Sequence, residues 1–338
     1  MRIAIITDAW APQVNGVVRT LQSVVRELER RGDEVFVVSP DQFRSLPCPG
    51  YREIRLALAT PGMVGRRLAS LRPGAVHIAT EGPLGIAARR WLRRRRQPFT
   101  TAYHTQFPDY LAKRTRLPAR LFWPFERWFH RPAAVVLAAT PSLRAQLAKE
   151  RIGPTRAFGR GIDGELFNPH AQPPAWFAAL PRPIMLYVGR VAVEKNLEAF
   201  LALDRPGSKV VVGDGPARAG LARRYPSAQF AGPLFGSALA GAYAGADVFV
   251  FPSRTDTFGM VIVEALACGT PVAAFPVQGP VDLLTAEVGA LDEDLGAAVA
   301  AALGRDRQAC ARYGASFSWA AATAEFRDAL CPIGTHSP

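Results

Sequence analysis

The chain has 338 residues, of which 49% are apolar and 20% charged. That is enough for two ordinary domains and too apolar for a disordered chain. The formal net charge of +13 is one-sided: residues 1–170 hold 28 Lys and Arg against 13 Asp and Glu, leaving 13 and 15 for the remainder. An excess confined to the first half calls for an anionic partner there, whether anionic lipid, nucleic acid or an acidic acceptor.

Ile3–Thr7 reads as a buried strand ending at Asp8, too short and too soon interrupted for a signal-peptide core. A loop, Ala9–Gly16, leads into a helix with Val18, Leu21, Val25 and Leu28 on one face. Gly16 at that junction suits a backbone that a ligand approaches closely, although a plain strand–helix turn reads the same way. Val35–Ser39 and Ala75–Ala79 are the next strands, and the helix from Leu84 ends in Arg93, Arg94, Arg95 and Arg96. Phe99–Tyr103 follows, with His104 at its carboxyl end, the edge at which parallel sheets bind ligands. Leu117–Arg131 interleaves Trp123, Trp128 and three phenylalanines with arginines. This suits an interfacial membrane helix as well as a core helix with a basic outer side. Together with Arg93–Arg96 it favours an anionic membrane surface. No RNP-like, zinc-finger or helix-turn-helix pattern supports nucleic acid.

Val135–Ala138 is a further strand, and Asn168–Pro183, with five prolines, reads as a linker. Ile184–Val188 opens the second half. Arg190 and Lys195 follow it, two cations in a post-strand loop that suit a pyrophosphate. Val210–Val212 runs into a tight turn at Gly213-Asp214-Gly215-Pro216, where Pro216 breaks any dinucleotide fingerprint. Val248–Phe251 is a strand buried on both faces. A polar loop, Ser253–Gly259, then leads to a helix with Ile262, Ala265 and Leu266 on one face, stopped by Gly269 and Pro271. The loop and helix carry two carboxylates, Asp256 and Glu264, with the amides around Thr257, Phe258 and Gly259 at a helix start between them. Such amides attract phosphate by roughly 0.3–1 kcal/mol at an exposed site. The arrangement suits a sugar nucleotide, and a capped helix with one solvated glutamate has the same spacing. Asp292-Glu293-Asp294 reads as helix-start acids rather than a metal motif, and Ser318–Leu330 as a final helix.

The Asp256–Glu264 unit, with Phe258-Gly259 and Gly269-Thr270-Pro271-Val272, resembles the signature of the retaining family 4 glycosyltransferases. Asp256 departs from the family's glutamate by one methylene. The resemblance implies an α/β chain of the GT-B fold, with two doubly wound, Rossmann-like parallel-sheet domains facing a cleft. Expected bounds are an acceptor-side domain over 1–167, a linker over 168–183, a donor domain over 184–317, and a last segment, 318–338, returning to the first domain. It further implies that Gly16, Arg190 and Lys195 meet the donor diphosphate and that Gly213 and Leu234 line the donor site. Glu264 would meet the ribose, with Asp256, Gly259 and His104 around the sugar. Asp256, His104, Arg190 and Lys195 are the expected catalytic residues, with no metal and no cofactor beyond the nucleotide sugar.

The activity so implied is transfer of a hexose from a UDP- or GDP-sugar to an acceptor hydroxyl with retention. The acceptor is expected to be a membrane lipid such as diacylglycerol or a glycolipid. A sugar-nucleotide epimerase of the same fold, or transfer to a soluble or polysaccharide acceptor, are the alternatives. Arg93–Arg96, Trp123 and Trp128 are expected on the membrane and acceptor side. No apolar run approaches the ~18 residues of a membrane span. The four cysteines are far apart and form no CxxC pair. A cytoplasmic protein, peripheral on the inner membrane face, is therefore expected.

Overall fold

The computed structural model describes residues 1–333, apart from 14, 49–50, 105, 109–111, 113–114, 116 and 255–257, and for 51–54 the backbone alone. The chain divides into two compact units: Met1–Arg160 together with the segment from Trp319, and Gly161–Ser318.

Unit 1 is built on a six-stranded sheet. Its strands are β1 (Arg2–Ile6), β2 (Glu34–Val38), β5 (Ala75–Ile78), β6 (Thr100–Tyr103), β7 (Val135–Ala138) and β8 (Thr155–Ala157), in the order β2-β1-β5-β6-β7-β8. Every pairing is parallel. A hairpin of β3 (Ser45–Cys48) and β4 (Tyr51–Ala57) stands apart from it. β1, β5, β6 and β7 are buried on both faces because helices cover both, the threonines of β6 and His77 of β5 included. The Trp319–Ala329 helix closes one face: Phe326 is fully buried against Phe158, and Arg327 Nε meets Asp33 Oδ2 at 2.6 Å. The Arg327 hydrogen bond holds the Asp33 carboxyl below the ordinary range despite burial.

His77, in β5, lies edge-on to Phe326 at 4.8 Å, and its Nδ1 is 2.9 Å from Thr100 Oγ1. Burial lowers its pKa to about 3. The folded state therefore keeps the ring neutral, and this stability is present above the unfolded value near 6.5 and lost as pH falls below it. From pH 7 to 5 the loss is about 2 kcal/mol. His77→Gln is expected to remove that amount from the pH 7-to-5 drop in unfolding free energy measured in urea, and a parallel curve would refute it.

Unit 2 repeats the plan. Its strands are β9 (Ile184–Val188), β10 (Ser208–Val212), β11 (Gln229–Gly232), β12 (Val248–Phe251), β13 (Val272–Ala274) and β14 (Gly289–Leu291), in the order β11-β10-β9-β12-β13-β14, all parallel. Residues 168–183 do not form a free linker. A Cβ built on Gly241 would stand 1.9 Å from Gln172 O, and Phe177 is buried, so this segment packs into unit 2. The division falls at Arg160/Gly161 rather than after Phe167. Asp294 caps the Leu295–Ala302 helix, its side chain accepting from Gly296 N at 2.8 Å.

Candidate active site

In each sheet the strand order reverses once, between β1 and β5 in unit 1 and between β9 and β12 in unit 2. Connections leave on opposite faces there, which opens a crevice at the carboxyl edge. The loops after β9 and β12 carry most of the residues expected to bind the donor.

After β9 the chain turns at Gly189 and Arg190, then makes a short 3-10 turn, Val193–Lys195. Arg190 is exposed and Lys195 half-buried. Tyr187 Oη donates to Arg190 O at 2.8 Å, and Asn196, in the left-handed conformation at φ 54°, donates from Nδ2 to Pro252 O at 3.1 Å. The cationic loop is therefore tied to the end of β12. After β10, Gly213 lies against the same loop: a Cβ there would meet Gly189 O at 1.9 Å. Leu234, after β11, is half-buried beside Phe235, which is 62% exposed.

Asp256 and Thr257 lie outside the described residues. Phe258 is buried edge-on to Phe317, so its ring serves the core of unit 2. Gly259 takes φ 90° at the start of the Met260–Ala267 helix, and an added Cβ would press on Ile262 Cδ1 at 3.0 Å. Glu264, 4% exposed, accepts from Tyr243 Oη at 2.9 Å. A buried carboxylate held by a phenol is positioned rather than solvated, which removes the capped-helix-with-solvated-glutamate alternative.

In unit 1, considered by itself, the expected residues lie in the loop after β1 and at the end of β6. Asn15 caps the Gly16–Arg30 helix by accepting from Val18 N at 3.0 Å. A Cβ on Gly16 meets no described atom within 4 Å, so this backbone borders open space. His104 is 8% exposed, and Arg160 Nη2 lies 3.2 Å from its Nδ1. Arginine can only donate, so Nδ1 accepts and the ring proton sits on Nε2. Burial first, then the Arg160 charge, holds the His104 pKa well below the usual imidazole range. His104 is thus a neutral ring of fixed tautomer, suited to donating a hydrogen bond rather than to acid–base exchange at neutral pH. Arg160 and Tyr243 are the residues sequence reasoning missed. They sit 56 and 21 positions from their partners, and no local spacing signals either contact.

The basic cluster lies elsewhere. Arg93, Arg131 and Arg151 stand just ahead of β6, β7 and β8, at the amino edge of sheet 1, whereas His104 follows β6 at the carboxyl edge. With Arg127, Lys149 and Trp128 they line one groove. Arg93–Arg96 are exposed. Trp128 is 38% exposed, with the Arg89 guanidinium 3.9 Å above its ring. Trp123, expected beside it on a membrane-facing surface, is 7% exposed and stacked on Tyr103 at 6.3 Å. It belongs to the core, because this flank of the Trp123–His130 helix packs on β6. Among the described residues no helix is long and apolar enough to cross a membrane.

The family model described as Glycosyltransferase Family 4 matches residues 14–166, and that described as Glycosyl transferases group 1 matches 182–305. A GDP-mannose-dependent alpha-mannosyltransferase of Mycolicibacterium smegmatis is 34% identical over 309 residues, covering 84% of this chain and 82% of that protein. A sulfoquinovosyl transferase of Arabidopsis thaliana is 30% identical, over 80% of this chain and 58% of its own. Among solved structures, sucrose-phosphate synthase from Thermosynechococcus elongatus superposes with a TM-score of 0.78 at 23% identity, covering 96% of this chain and 97% of that one. Anabaena HepE in complex with UDP gives 0.70 at 14% identity, covering 97% and 99%. The parallel-sheet units, the matched models and these relatives agree: the chain belongs to the family 4 glycosyltransferases and has the GT-B fold.

Proposed function

We propose that the protein transfers a hexose, with retention, from a UDP- or GDP-sugar to a hydroxyl of a membrane lipid. The observation that carries this reading is the tethered cationic loop of unit 2, Arg190 and Lys195, at the same strand-order reversal as the Gly259 helix start and buried Glu264. In this reading Glu264 accepts from the ribose hydroxyls, while Arg190, Lys195 and the helix-start amides receive the diphosphate. Leu234 and Gly213 flank the nucleotide, and Asp256 and His104 attend the sugar. As the anomeric bond breaks, negative charge grows on phosphate oxygens, and cations already in place lower the barrier. The chemistry is assigned to protein groups, without metal, and the acceptor attacks on the face the diphosphate leaves.

The lipid acceptor rests on two supports: the names of relatives, which include an alpha-monoglucosyldiacylglycerol synthase of Streptococcus pneumoniae, and the basic edge of unit 1. Each Lys or Arg near an anionic leaflet contributes about 1 kcal/mol. Docking through the Arg93–Arg96 edge then holds the protein at the inner membrane face while the carboxyl edge stays open to substrate.

The test is transfer from radiolabelled GDP-mannose and UDP-glucose to vesicles of diacylglycerol with anionic or zwitterionic phospholipid. Expected is lipid-extractable label with one donor, dependent on anionic lipid and weakened by salt. Label entering only water-soluble product would sink the lipid acceptor. Donor interconversion without acceptor would favour an epimerase.

A further inference from the structure

Unit 1 holds a buried cluster that the transfer reaction does not use. Glu81 comes from the turn between β5 and the Pro83–Arg94 helix; Glu126 and His130 lie one turn apart on the Trp123–His130 helix. His130 Nε2 is 3.3 Å from Glu81 Oε1 and 3.4 Å from Glu126 Oε2, and one ligand atom from each residue lies within 4.8 Å of the other two. Glu126 and His130 side chains are fully buried, and Glu81 is 18% exposed.

The polar atoms are not satisfied by one another. Among the described residues neither oxygen of Glu126, nor Glu81 Oε1, nor His130 Nε2 has a hydrogen-bond partner of acceptable geometry. An imidazolium–carboxylate hydrogen bond closes to about 2.7–2.9 Å, and both contacts here are longer. These two contacts are close to the roughly 3.3 Å between ligands that stand about 2.0–2.1 Å from a tetrahedral zinc ion, and the two carboxylate oxygens lie within 4.8 Å of each other. The other ring nitrogen of His130 is 2.9 Å from Thr101 Oγ1. When Nδ1 donates there, the Nε2 lone pair faces the two carboxylates, the support that metal-bound imidazoles ordinarily have.

Charge points the same way. Two carboxylates face one imidazole, at 3.3 Å from Glu81 and 3.4 Å from Glu126. A divalent cation balances two carboxylates and a neutral histidine, leaving no net charge in the interior. We infer that Glu81, Glu126 and His130 bind a divalent transition-metal ion of the zinc type, with solvent as the fourth ligand on the Glu81 side. The ion would pin the β5 turn and the Trp123–His130 helix to β6, a structural role separate from bond breaking.

The competing occupant is a proton. Metal binds only the neutral ring, so it has to displace that proton. The full chain, tag removed and dialysed against chelator, is titrated with Zn²⁺ alone at pH 7.5 by calorimetry in buffers of different ionisation enthalpy. Expected are one equivalent bound, proton release, a Tm rising by several degrees, and tetrahedral d–d absorption when Co²⁺ replaces Zn²⁺. Glu81→Gln, at the solvent rim and least disruptive to folding, should weaken binding at least about tenfold. Thr101→Val should weaken it about 10–100-fold, and Glu126→Gln should abolish it. No stoichiometric binding by the wild type would overturn the site. So would uptake that persists in Glu126→Gln and Glu81→Gln, which marks an adventitious ion only.

Discussion

Lys195→Ala is expected to lower kcat about 10²–10³-fold, the cost of removing one prearranged group from a developing oxyanion. The 3-10 turn that carries Lys195 is closed by its own backbone, Lys195 N donating to Ala192 O at 3.0 Å, and is anchored by Asn196 to Pro252. Neither anchor uses the lysine ammonium. Both anchors remain in the variant, so the loop should stay in place and stability fall by no more than about 1 kcal/mol. KM for the nucleotide sugar should rise much less than kcat falls, because the charge Lys195 answers is larger at the transition state than in the bound donor. Steady-state kinetics beside a melting curve checks this. A loss below tenfold, or one accompanied by unfolding, removes Lys195 from the role proposed.

Gly213→Ala should be strongly damaging, costing about 2–5 kcal/mol of stability. Two effects add. Gly213 sits at φ 139°, where L side chains are strained, and its missing Cβ would lie 1.9 Å from the carbonyl oxygen of Gly189. That oxygen belongs to backbone and cannot swing aside as a side chain could. The loops after β9 and β10 are joined by Gly189 N to Val212 O at 3.0 Å and Val191 N to Asp214 O at 2.9 Å. Separating them also displaces Arg190, so donor binding should fall with stability. Gly16→Ala is the control: with no described atom near the added carbon and a helix to favour it, stability should hold or rise. A Gly213→Ala protein that melts with the wild type would refute the close approach.

Most strands were legible because each is a short apolar run, buried on both faces and bounded by turn residues; Val135–Ala138, Ile184–Val188 and Val248–Phe251 match residue for residue. Among the strands that escaped, the hairpin pair Ser45–Cys48 and Tyr51–Ala57 stands apart from the main sheet, and Thr155–Ala157 and Gly289–Leu291 are three residues each at the sheet edges. At an edge one neighbour suffices, so little hydrophobic pattern is needed. The Pro61–Leu71 helix escaped because two glycines and three arginines or serines dilute its apolar stripe. The proline-rich stretch 168–183 was misjudged for the converse reason: proline stiffens a chain whether it crosses solvent or lies on a surface. Only the contact of Gln172 with the Gly236–Gly245 helix decides between the two.

The sequence by itself determined which chemistry is available: two cations after one strand, glycines where backbones meet, a glutamate inside an apolar helix, and positive charge confined to the first half. Those are local properties, written in residue type and spacing. Tertiary structure alone decided which groups act together. It paired Arg160 with His104 and so fixed a neutral tautomer, and it paired Tyr243 with Glu264. It sent Trp123 into the core while Trp128 stayed outside, and set the arginines at the opposite edge of the sheet from His104. The physical reason is that burial and partnership depend on neighbours brought together by the parallel sheets across tens of residues, and no local spacing encodes them.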